Sequence, residues 1–110
     1  MELTSIARLI LDLDDLLGAL VLQVQPVSSA GRTLRLSIDT ACGQMQILRM
    51  LISMDHSVPE QLAAARDLAA TLKLGDAVAS RSRIAGEQRQ AIQLAAAVAG
   101  RISRGLDVTV

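Results

Sequence analysis

Asp55, His56 and Ser57 are the three residue types of a nucleophilic triad, written consecutively in the chain. A triad works only when nucleophile, base and orienting carboxylate converge in space, and side chains of adjacent residues diverge. The serine is better used as a helix cap. His56 is the only histidine. As a metal ligand beside Asp55 or Asp39 it is a lone histidine and lacks the inward Glu-x-x-His pairs of metal-bearing bundles. As a phosphotransfer histidine it would have to sit mid-helix on an exposed face, whereas "DHSVPE" reads as a turn. Cys42 is the only cysteine, so no internal disulfide can form. It falls in an apolar pattern and reads as a small buried hydrophobe.

Two arginine-bearing stretches are equally spare. "SRSR", residues 80–83, is a short basic cluster without aromatic interleaving. "GRISRG", residues 100–105, has glycines but neither the spacing nor the lysine of a phosphate loop. No constellation of ionisable groups suits catalysis. The sequence therefore predicts a non-enzymatic protein with no cofactor, no metal and no small-molecule substrate.

What remains to be explained is how the chain folds and what its surface is for. Its 110 residues fit one domain, and 51% of them are hydrophobic, enough for an ordinary core. It has no Phe, Tyr or Trp. The large burials that aromatics supply are absent, so the core must come from Leu, Ile, Val, Ala and Met, which suits helices packed at close range. Eleven basic and eleven acidic residues leave no net charge, and a neutral chain has no electrostatic reason to seek nucleic acid or an anionic membrane. The charge is uneven, however. Glu2, Asp12, Asp14 and Asp15 face only Arg8 in residues 1–25, while Arg81, Arg83, Arg89, Arg101 and Arg104 outnumber Asp76, Glu87 and Asp107 in residues 76–110. The two ends are expected to pack near each other, within the molecule or across a dimer.

"IARLILDLDDLLGALVLQV", residues 6–24, is apolar enough to raise the question of a signal or a membrane span. A signal needs a basic start and an unbroken apolar run, but "MELTS" is acidic and Asp12 breaks the run. A span tolerates few charges, and three aspartates in four positions would cost several kcal/mol near a bilayer centre. Leu3, Ile6, Ile10, Leu13, Leu17, Leu20 and Val24 instead step by alternate threes and fours, a heptad seam. Residues 3–25 are predicted as an amphipathic helix about 35 Å long. Leu11 and Leu22 fall off the seam, as scattered surface leucines or as part of a second contact surface.

"QPVSSAG" then breaks the chain, and Ser28 or Ser29 could cap the next helix. A second seam follows at Leu34, Ile38, Ala41, Met45, Leu48 and Ile52 over a helix at 29–54. Ile47, Met50 or Leu51, and Met54 make its second half apolar on two adjoining faces, one more than a core requires. A rival reading makes 33–38 a strand, because "TLRLSID" also alternates with period two. Ser57 with Glu60, and Pro59 between them, mark the start of a third helix at 58–74. Gly75 reads as its left-handed stop and Asp76 as the cap of a fourth helix at 77–105. Gly86 and Gly100 flank an alanine-rich face on that helix, where small residues would admit a neighbouring backbone. The tail, 106–110, is expected to be extended, since Thr and Val are weak helix formers.

The fold class follows as all-α: an antiparallel bundle of four helices, or three long ones if the 74–76 corner stays open. The unequal lengths, about 23, 26, 17 and 29 residues from these boundaries, and the surplus apolar faces predict a cytoplasmic homodimer. The dimer is expected to meet on the second or fourth helix, and the candidate interface residues are Ile47, Met50, Leu51, Met54, Gly86 and Gly100 of those helices with Leu11 and Leu22 of the first. The function read from this is a protein-interaction module, an adaptor, secretion-type chaperone or small regulator, that self-associates and holds a helix of another protein. Two alternatives are a nucleic-acid-associated regulator using the five C-terminal arginines and an amphipathic coat protein on a lipid or polymer surface.

Overall fold

A computed structural model describes residues 2–25, 28–55, 57–81 and 86–109, with side chains from Ile6 to Asp107 within those ranges. Four helices, α1 (Glu2–Gln23), α2 (Ser29–Ser53), α3 (Val58–Ser80) and α4 (Gly86–Thr109), pack as a bundle, with no strand among the described residues. Contacts run α1–α2, α2–α3, α3–α4 and α4–α1, and not across either diagonal. Short connections force successive helices to run antiparallel. The molecule is a rod of 40 × 20 × 19 Å, one helix long and two helices wide.

The heptad seams make the core. Ile6, Ile10, Leu13, Leu17 and Leu20 of α1, with Val24 just past its end, meet Leu34, Ile38, Ala41, Met45 and Leu48 of α2. From the other side come Leu62, Ala65, Leu68 and Leu72 of α3 with Ile92, Ala95, Ala99, Ile102 and Leu106 of α4. Each fully buried leucine or isoleucine contributes roughly 1.5–3 kcal/mol of transfer free energy. Layers of such residues fill a cross-section this narrow without aromatics.

Local signals place most of the helix ends. Ser28 caps α2, its Oγ accepting from the Gly31 amide at 3.0 Å. A Cβ on Gly31 would stand 2.7 Å from the Gln25 carbonyl oxygen, so the α1–α2 turn closes tightly only over glycine. α2 stops at Met54, and Asp55 turns the chain with φ 54°, a left-handed conformation that Asp tolerates better than most residues. α3 starts at Ser57 with Pro59 in its first turn, as read from sequence, but the Ser57 hydroxyl makes no capping bond. The Ser57 carbonyl accepts from Gln61 instead.

Four expectations are corrected. Gly75 is not a stop and Asp76 is not a cap: α3 runs through both to Ser80, and no described glycine has positive φ. Gly75 is buried on the core-facing series Leu68, Leu72, Gly75, Ala79, where it packs beside Leu34 and Ser37 of α2 and an added Cβ would meet them at ordinary contact distance, 3.7 and 3.5 Å. α3 is capped at Arg81 and α4 begins at Gly86, so the helices have 22, 25, 23 and 24 residues and match end to end. Unequal length is therefore no reason for a second copy. The tail is helical to Thr109, because Leu106 completes the α4 seam and its burial outweighs weak propensity. The rival strand at 33–38 is helix, with Leu34 and Ile38 inward.

Candidate functional site: two outer faces

With its core satisfied, the bundle presents two faces of different character. The first spans α1 and α2, which make the thinnest contact of the four helix pairs. Large side chains on both helices hold them apart, and polar bonds bridge the gap. Arg49 Nη1 pairs with Asp14 Oδ2 at 3.3 Å, and Arg35 donates from Nη1 to the Val24 carbonyl at 3.1 Å, its Nε held by Asp39 of the same helix, also at 3.1 Å. At one end the gap opens into an apolar groove of about 270 Å³ lined by Ala7, Ile10, Leu11 and Ile52, with Arg49 and Ser53 at its edge.

Outward from this pair stand Leu11, Leu22, Leu36, Ile47, Met50 and Met54, all at least half exposed. Four of them belong to one row on α2. Leu36, Thr40, Gly43, Ile47, Met50 and Met54 are all exposed and step by 4, 3, 4, 3, 4, a second heptad seam on the side opposite the core seam. Its central residue, Gly43, has open space where a Cβ would be. Leu36 belongs to this row although the sequence reading left it out. Leu51 is half-buried and adds little to it. Of the remaining exposed large apolar residues, Leu74 lies on α3 and Leu94 on α4.

Cys42 is half-buried on α2. Burial pushes its thiol above the ordinary value, and the nearby carboxylates of Asp39 and Asp14 push it further, against a smaller opposite pull from Arg35. It stays protonated and is a poor nucleophile. Gln44 Oε1 is a buried acceptor without a partner, beside a crevice of about 70 Å³ between α2 and α3.

The second face is the groove between α3 and α4, about 650 Å³ and open to solvent. Its floor is small: Ala69 and Ala70 of α3, Ala96, Ala97 and Gly100 of α4. Its walls carry Arg66, Lys73, Arg101 and Arg104, with Asp76 as the lining acid. Arg66 Nη2 leans to Asp107 Oδ1 at 3.6 Å. A further crevice of about 230 Å³ at Gly86, Arg89, Gln90 and Gln93 continues along α4, sharing Gln93.

Gly86 and Gly100 do not serve the bundle as the sequence suggested. Nothing lies within 4 Å of a Cβ on Gly86, and a Cβ on Gly100 meets only Arg104 Nη1 at 3.6 Å. The close internal approaches are at Gly31 and at Gly105, where Ile6 of α1 comes to 3.2 Å. The two ends do pack near each other, but no ion pair between them appears among the described residues. α1 packs on α4, but Asp14 pairs with α2, and Asp12 and Asp15 are exposed without an ion pair among the described residues. Arg81 donates to the Ala77 carbonyl at the end of α3. Arg83 and His56 lie outside the described residues, and with His56 the triad, metal and phosphotransfer readings. Among the described residues no group of three His, Cys, Asp or Glu could hold a metal, and no helix is long and apolar enough to cross a membrane.

The class this defines is a four-helix bundle with one apolar and one cationic outer face. No protein-family model, curated protein or solved structure matches the chain.

Proposed function

We propose that the protein is a non-enzymatic interaction module that self-associates through the outer row of α2. One observation carries this reading: Leu36, Ile47, Met50 and Met54 lie in the open at heptad spacing on a helix whose other seam already supplies the core. A single surface leucine needs no explanation. Four on one exposed row, three of them consecutive along it at Ile47, Met50 and Met54, with Leu11 and Leu22 exposed on the neighbouring helix, are the kind of surface that marks an interaction site. A helix with two such rows can pack against its own bundle and against an identical helix outside it. From Leu36 to Met54 the row runs about 27 Å at 1.5 Å per residue. Gly43 near its centre would let two copies of α2 approach closely. Methionine suits the contact because its flexible thioether fits irregular gaps.

The test is the light-scattering mass of the pure protein over a dilution series. Twice 11.6 kDa is expected for the wild type, and a monomer for Ile47→Glu/Met50→Glu. A wild-type monomer at every concentration would remove the reading.

A further inference from the structure

The groove on the other side of the bundle answers a different question, namely which partner the module holds. Lys73, Arg101 and Arg104 have neither a hydrogen bond nor an ion pair among the described residues. They gather round one groove in a chain whose net charge is zero. Their neighbour Arg66 already has Asp107, and Asp76 is the acid on the lining. The groove thus presents positive charge on both walls and apolar small residues below.

The floor decides between anionic ligands. A phosphate backbone is strongly hydrated and gains nothing from alanine, and the chain has no aromatic side chain on which a base could stack. A helix gains from both features. Ala97 and Gly100 permit the short interaxial distance at which a third helix nests between two others, and its flanking carboxylates would reach the walls as e and g charges do beside a coiled-coil seam. Gly100 has a place in this arrangement that it lacks in the bundle, because a mid-helix glycine weakens its own helix and no internal neighbour uses the space beside it.

We propose that the α3/α4 groove docks an acidic amphipathic helix of a partner protein, seated by a small apolar stripe on Ala97 and Gly100 and held by carboxylates at Lys73, Arg101 and Arg104. This rests on the reading of the protein as an interaction module but uses a face separate from the self-associating one. The two can therefore fail separately.

The test uses the full chain and three fluorescent probes: a helical alanine-leucine peptide of about six turns flanked by glutamates on both sides of its apolar stripe, the same peptide with glutamine for glutamate, and a short DNA duplex. Anisotropy titrations are expected to give saturable binding of the glutamate peptide, at least tenfold tighter than either other probe. Arg101→Glu/Arg104→Glu should weaken it at least tenfold. Gly100→Leu should do the same by filling the groove while retaining the helical circular dichroism and melting of the wild type. Ile47→Glu/Met50→Glu should leave it unchanged. Failure to bind the glutamate peptide, equal binding of the glutamine peptide, preference for the duplex, or indifference to Gly100→Leu would each overturn the proposal. So would loss of peptide binding as the unlabelled protein self-associates, since that would make a second copy the occupant.

Discussion

The α1/α2 half and the α3/α4 half solve the same packing problem with different side chains. Between α1 and α2 the residues lining the gap are bulky, Ile10, Leu11 and Ile52 among them, and the contact is the thinnest of the four, with a greasy groove at one end. Between α3 and α4 they are largely alanine, at Ala69 and Ala96, and the contact is closer. Helix separation follows the size of the residues at the contact. The consequence reaches the surface: bulky residues leave apolar side chains over for the outside, whereas an alanine floor leaves a shallow trough whose long cationic walls set its chemistry. One bundle thereby carries two surfaces with different preferences in what they bind.

Substitutions can break or sharpen this contrast. The largest effect is expected at the boundary between inner and outer apolar residues of α1. Leu17 is 1% exposed and Leu22 is 77% exposed. Leu17→Ala should cost about 2–5 kcal/mol in urea unfolding, and Leu22→Ala within about 0.5 kcal/mol. Comparable losses at both would mean that Leu22 is already buried in the free protein. Next is the α1–α2 turn, where Gly31→Ala drives a methyl group against the Gln25 carbonyl. A loss of about 1–3 kcal/mol is expected, as for other overpacked sites.

On the α3/α4 side the glycine substitutions should change sign. Gly75 and Gly100 are helix-interior, without positive φ, and a Cβ on either meets only ordinary contacts. Gly75→Ala and Gly100→Ala should each stabilise by about 0.5–1 kcal/mol. A destabilised Gly75→Ala would restore the left-handed corner and shorten α3. The smallest effect concerns Cys42. With its thiol held above the ordinary value, the thiolate fraction at pH 8 falls below that of a free cysteine. Alkylation by iodoacetamide should be slower than that of glutathione and should reach the free-thiol rate in denaturant.

The core was legible in the sequence because it is written in heptads. Leu13, Leu17 and Leu20, or Leu34, Ile38 and Met45, announce an inward face by spacing alone. The Ser28 cap and the corner after α2 were legible too, from residue types with a local mechanism. Gly75 misled because a glycine that ends a helix and one that fits against a neighbour look alike before the neighbour is known. Leu106 misled in the opposite sense: tertiary burial overrode the propensities of the residues around it. Leu36 sat in a period-two stretch and was not assigned to the outer row that Ile47, Met50 and Met54 had suggested. The cationic groove was not legible, since Arg66 and Lys73 meet Arg101 and Arg104 only once α3 and α4 are known to pair.

The central claim is that the outer row of α2 meets its own copy, and the distance between two labels at Gly43 reports this most directly. Gly43→Cys in a Cys42→Ala background places a nitroxide where the structure leaves open space. Packed helices have axes 8–10 Å apart, so dipolar spectroscopy should find an intermolecular distance under roughly 30 Å, abolished by Ile47→Glu/Met50→Glu. No dipolar coupling at Gly43, with a short distance between labels at Gly100→Cys instead, would put the contact on the opposite face and contradict the claim.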